Sequence, residues 1–208
     1  MRYERLLRVA WLSILLGIGM EALLLAAAAA FGKQPAVAAA LADLVQKVSW
    51  ANIVCVGLAV GTAASKQQPR AMGLAGFAAA PLAFGLARAL HKAVSQALSI
   101  AAPAAGIPSP WVLAGIKAIE YTLLGFLLGR FEKHAEPRLT PHILIGAVIG
   151  LLFGGFVLWL SVRQSPSPLP AAALVTRAIN EMIFPIGCSA VIGASRLFGR
   201  GAKQPSRS

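Results

Sequence analysis

The sequence predicts an all-α fold, a polytopic membrane helical bundle with six transmembrane helices. Two observations carry this expectation. Hydrophobic residues make up 58% of the 208-residue chain and Asp, Glu, Lys and Arg only 12%, against roughly 25% charged in an average soluble domain. The apolar residues also fall into six long stretches walled off by basic residues. A bilayer core needs ~20 apolar residues per helix, and membrane strands would show ~10-residue alternating segments, which this sequence lacks. Twenty glycines suit close helix packing in lipid.

The first span, residues 8–31, follows MRYERLLR. That start resembles a signal peptide, but the apolar run is ~23 residues against the usual 7–15 and contains Glu21, so a retained helix is expected. The second span, 38–64, carries Asp43 and Lys47 near its beginning. The third, 71–91, lies between Arg70 and Lys92 and holds Pro81. The fourth, 110–130, opens with Ser109-Pro110 and the fifth, 141–162, with Thr140-Pro141, each an N-cap followed by proline at the first helical position. The sixth, 171–195, contains Pro185, four residues after Glu181. A proline inside a helix removes a backbone hydrogen bond, and a bend beside a buried charge suits the wall of a polar cavity. These spans leave no room for a soluble domain, so residues 1–208 read as a single integral membrane domain.

A net charge of +12 would suggest nucleic acid in a soluble protein, but here the charges sort by side. With the N-terminus in the cytoplasm, Arg2, Arg5, Arg8, Lys66, Arg70, Arg130, Lys133, Arg138, Arg196, Arg200, Lys203 and Arg207 lie inside. Lys33, Arg88, Lys92 and Arg163 lie on or near the other side. This positive-inside bias predicts a multi-pass protein of the plasma (inner) membrane with both termini cytoplasmic and no nucleic-acid partner. Trp11 falls near the inner boundary, Trp111 and Trp159 near the outer one, as interfacial belts require.

An internal pattern divides the chain into three two-helix units, 1–69, 70–137 and 138–208. Even-numbered spans align without gaps as DLVQK (43–47), KAIEY (117–121) and RAINE (177–181), and each returns to a basic segment: SKQQPR, EKHAEPR and AKQPSR. Three parallel hairpins would give a pseudo-threefold bundle with binding at the repeat interface. Basic inner ends and polar outer ends would also produce short matches without any repeat.

Small-residue spacing marks packing faces: Gly57/Gly61, Gly125/Gly129, and the double motif Gly146/Gly150/Gly154. Such faces let backbones approach closely. Most are expected to serve contacts within the chain, while the Gly146/Gly150/Gly154 face is a candidate seam for a homo-oligomer or for other membrane subunits.

Seven ionisable residues fall within spans: Glu21, Asp43, Lys47, Lys117, Glu120, Arg177 and Glu181. A charge at the bilayer centre costs ~2.5–3.5 kcal/mol on insertion scales, so these should be buried or paired. Asp43/Lys47 and Arg177/Glu181 at i,i+4 and Lys117/Glu120 at i,i+3 can pair along one helix. At ~1.5 Å per residue, Glu120 lies about 15 Å deep and Glu21 about 20 Å from the inner surface. Lys47 and Lys117 are expected to snorkel outward. Glu21 has no cation within a turn, and Lys117, Lys47 or Arg177 would have to reach it from other helices.

The expected binding residues are therefore Glu21, Lys117, Glu120, Arg177, Glu181, Asn180 and Tyr121, with Gln46 and Asn52, around a polar cavity open to the outside. A buried ion-pair network that only pins the helices would use the same charges. No catalytic site, metal site or cofactor is expected. His91, His134 and His142 sit near span ends without metal-ligand spacing, and His134 and His142 read as cytoplasmic interfacial residues. The motifs of serine hydrolases, zinc proteases, P-loops and redox pairs are missing. Cys55 and Cys188 read as small buried side chains with no disulfide framework. The expected function is a non-enzymatic transporter or channel for an ion or small polar solute, with Glu21, Glu120 and Glu181 as proton or cation sites. The alternative is a non-catalytic accessory subunit of a larger membrane complex.

Overall fold

A computed structural model describes residues 2–64, 67–100, 108–134 and 138–201. Those residues form six long helices and no strand: α1 (Arg2–Ala30), α2 (Val37–Ala64), α3 (Gln68–Ala97), α4 (Pro110–His134), α5 (Leu139–Gln164) and α6 (Ala171–Gly201). All six are long and apolar enough to cross a membrane. Of the basic residues expected on the inner side, Lys66, Lys203 and Arg207 lie outside the described residues.

The helix ends follow local chemistry. Beyond Ala30, Gly32 takes a φ of +68°, and the amide of Lys33 donates to Ala28 O at 3.0 Å, which terminates α1 in a Schellman turn. The third helix continues to Ala97, past the expected end at 91. Backbone hydrogen bonding does not need apolar side chains, so the helix outlasts its hydrophobic run through His91, Lys92 and Gln96. It stops where Ser99 adopts a φ of 54° and Ile100 N donates to Ser95 O at 2.8 Å.

Helices next to each other in sequence pack together, α1 on α2, α2 on α3, α3 on α4 and α5 on α6, and these pairs run antiparallel. Glycines set the closest approaches. A Cβ added at Gly57 would lie 2.5 Å from that of Ala79, and one at Gly61 would lie 2.7 Å from Met72 Cα, which seats α2 on α3. Gly76 fits against the Tyr121 backbone and Gly125 against that of Met72, which seats α3 on α4. Gly146, Gly150 and Gly154 meet Ser189, Met182 and Glu181 of α6 in turn. The face expected as a seam between chains is therefore occupied by α6 of the same chain. Within α5, Gly150–Gly154 form a π-helical turn along that contact.

The core gathers Val54, Leu58, Met72, Tyr121, Leu124, Leu128 and Ile192 from α2, α3, α4 and α6. Cys55 and Cys188 meet there, their sulfurs 2.8 Å apart as free thiols. Large apolar side chains also cover the outside of the bundle, among them Trp11, Leu15, Leu74, Trp111 at 88% exposure, Leu144 and Leu152. This is the inverse of a soluble surface and is compatible with an integral membrane protein.

Candidate functional site

The end of the bundle opposite the chain termini opens into a cavity of about 820 Å³. It is bounded by the end of α1, the following turn, the start of α2, the second half of α3, the start of α4 and the start of α6. No residue of α5 lines it. Its polar lining includes Glu21, Lys33, Asp43, Gln46, Lys47, Arg88, Lys117, Arg177, Asn180 and Glu181, and its apolar walls include Trp50, Phe84 and Phe184.

Packing between helices decides which charges meet. Lys47 of α2 reaches Glu21 of α1, Nζ to Oε2 at 2.6 Å. Asp43, expected to pair with Lys47 along α2, instead lies 3.1 Å from His91 Nε2 of α3. Lys117 of α4 sits between two acids, 2.7 Å from Glu120 Oε2 and 2.8 Å from Glu181 Oε2 of α6. Asn180 donates to Glu181 Oε1 at 3.2 Å. The expected outward snorkelling of Lys47 and Lys117 does not occur, because a cross-helix carboxylate lies within reach of each ammonium. Both lysine side chains are largely buried.

Two carboxylates thus share one ammonium, and the Glu120 side chain is fully buried with its Oε1 contacting no hydrogen-bond donor among the described residues. An anion in that state is strongly disfavoured unless something neutralises it. Arg177 also contributes to the field at Glu181. Glu120 and Glu181 thus meet the same ammonium, with Arg177 adding positive field at Glu181, and a carboxylate so placed can be neutralised by a proton or a small cation.

Five of the seven residues expected to bind line the cavity: Glu21, Lys117, Arg177, Glu181 and Asn180. Glu120 lies one layer behind, joined to the cavity through Lys117. Tyr121 does not line it; the ring is fully buried against Trp50 at 5.8 Å, edge to face, because its turn of α4 faces the core. Asn52 also lies elsewhere and donates to Ala10 O of α1 at 3.3 Å.

A second charge cluster, not anticipated from the sequence, lies at the end where α1 begins and α6 ends. Glu132 of α4 is its centre, with a fully buried side chain. Arg5 Nη2 of α1 lies 3.2 Å from Oε1, Gln68 Nε2 of α3 donates to Oε2 at 3.1 Å, and Arg196 of α6 donates to the Glu132 carbonyl at 3.3 Å. Arg5 also donates to Thr62 Oγ1 of α2 at 3.0 Å. His142 of α5 completes the set: its Nδ1 meets the Arg138 carbonyl at 2.8 Å, and its Nε2 faces Glu132 Oε1 at 3.6 Å. All six helices are tied at this level. His142, expected at an interface, is fully buried because Phe131 packs edge-on to it and Gly193 leaves room for its ring. The helix period did contain a signal for Glu132: it continues the buried face of Tyr121, Leu124 and Leu128 at helical spacing.

No cluster of metal-ligating side chains occurs among the described residues. Compared with protein-family models, curated proteins and solved structures, the chain matches none.

Proposed function

We propose that this chain is an integral membrane transporter of six transmembrane helices, a carrier for an ion or small polar solute. Its termini lie in the cytoplasm and its cavity faces the opposite side. The observation that carries this reading is a cavity at one end of the bundle, floored by the buried Glu120–Lys117–Glu181 triad, with the Glu132 cluster tying all six helices at the other end. A pore would need a path past Glu132. A carrier needs a site open to one side at a time, with a closure that can be exchanged for another. Coupling would come from the triad, where a proton neutralises one of the two carboxylates. The basic asymmetry between the two ends supports the orientation. The apolar exterior supports insertion in lipid.

The accessory-subunit reading depended on glycine faces free to take other chains. Gly57, Gly61, Gly125, Gly129, Gly146, Gly150 and Gly154 all meet neighbouring helices of this chain, and the carrier reading is preferred for that reason.

Purified protein in liposomes provides the test. A carrier exchanges internal for external labelled solute (counterflow) with saturable rates and conducts no steady current. A single-channel current would replace the carrier by a channel. Failure to move any of a broad set of cations, anions and small solutes, with tight co-purification of other membrane subunits, would favour the accessory role.

A further inference from the structure

Five basic and three acidic side chains line the cavity, and they are unevenly placed. At the floor, Lys47 is matched by Glu21, and Lys117 by Glu181 with Glu120 behind it. Nearer the opening stand Lys33 and Arg88, with Asp43 the only lining acid there among the described residues and itself held against His91, while Arg177 adds its field to Glu181. The opening therefore carries more positive than negative charge, whereas each acid of the floor is met by a cation. Low-dielectric walls around these cations concentrate the field and draw in anions.

The walls limit what sort of anion fits. Trp50, Phe84 and Phe184 give the cavity apolar aromatic surfaces, and Arg88 is held over the Phe84 ring at 5.4 Å. A guanidinium fixed beside an aromatic wall can bind a carboxylate while the wall takes the apolar body attached to it. The volume of about 820 Å³ lies within the ~300–1,000 Å³ common for small-molecule sites. A bare inorganic ion would leave most of those walls without contact.

We propose that the cavity binds a small organic monoanion, an aryl or alkyl carboxylate, with its carboxylate on Arg88 and Lys33 and its apolar body against Trp50, Phe84 and Phe184. This assignment rests on the carrier reading and names its substrate class. On that reading one monoanion moves with one proton held at the Glu120–Lys117–Glu181 triad, so no net charge crosses. Uptake then follows the pH gradient and ignores the membrane potential.

The test uses the full-length purified protein and three matched probes: phenylacetate, phenethylamine and phenylacetamide. Calorimetry should show phenylacetate binding at least tenfold more tightly than the amine or the amide. Arg88→Gln and Lys33→Gln are exposed positions, so the variants should keep the wild-type melting temperature and lose about tenfold in phenylacetate affinity, the equivalent of about 1.4 kcal/mol. Preference for the amine, equal binding of all three, binding of none, or binding indifferent to both substitutions would each overturn the assignment. Binding of phenylacetate without flux in liposomes would refute the carrier and leave this site standing. Flux of another solute class, with no phenylacetate binding, would do the reverse.

Discussion

The ammonium of Lys47 lies 2.6 Å from the Glu21 carboxylate, so this pair fastens α2 to α1 rather than one turn of α2 to the next. Removing one member of a buried pair leaves the other uncompensated, at a cost of about 3–5 kcal/mol. Lys47→Met should therefore lower the melting temperature in detergent sharply. Glu21→Gln combined with Lys47→Met should recover most of the loss, since neither charge remains. A double variant as unstable as Lys47→Met would show that the lysine stem, and not its charge, holds the contact.

The Glu132 cluster should behave as a closure. Three cationic or protonatable groups, Arg5, His142 and Arg196, converge on this one carboxylate. Glu132→Gln keeps the shape and removes the attraction. In protein with Cys55 and Cys188 replaced by Ala, a cysteine at Thr62 should react slowly with a thiol reagent from the terminal side. Adding Glu132→Gln should speed that reaction roughly tenfold, the rate equivalent of about 1.4 kcal/mol. An unchanged rate would mean that apolar packing alone shuts this end.

Glycine substitutions should separate internal packing from assembly. A Cβ at Gly150 would collide with the Met182 carbonyl, while one at Gly85 or Gly19 would meet nothing within 4 Å. Gly150→Ala is expected to destabilise the folded chain by about 1–3 kcal/mol, and Gly85→Ala to leave it unchanged. If Gly150→Ala melted like wild type but changed the solubilised particle size, the α5 face would be an intermolecular one after all.

Orientation can be read with single cysteines. In intact cells, Gln34→Cys and Ser167→Cys, both at exposed positions at the cavity end, should react with a membrane-impermeant reagent added outside. Lys133→Cys, exposed at the terminal end, should react only after permeabilisation. The opposite pattern would invert the proposed topology.

The helices were legible in the sequence because six apolar runs of spanning length admit few other folds. Their charges were legible in a coarser way. The insertion cost predicted that Glu21, Glu120 and Glu181 would be sheltered inside, and all three are buried or largely so. Partner choice was not legible. Helical spacing names only neighbours on the same helix, which is why Asp43/Lys47 looked like a pair when Lys47 turns to Glu21 and Asp43 to His91. Tyr121 and Asn52 show the same limit from another side, since an inward-facing polar residue meets a cavity in one packing and a neighbouring helix in another. Glu132 and His142 were hidden by composition. They stand next to basic segments that look like solvated ends, and only the packing of six helices at one level buries them.

The proton proposed at the Glu120–Lys117–Glu181 triad is tested most directly by a pH-gradient experiment on Glu120→Gln and Glu181→Gln. Glutamine copies the shape of a protonated acid and cannot release the proton. In liposomes with matched amounts of folded protein, both variants should retain solute exchange at equilibrium. They should lose accumulation driven by an acidic exterior, which the wild type should show. Wild-type accumulation in both folded variants would contradict the account. So would exchange and accumulation falling together in proportion to the folded protein, because the triad would then hold helices together and couple nothing.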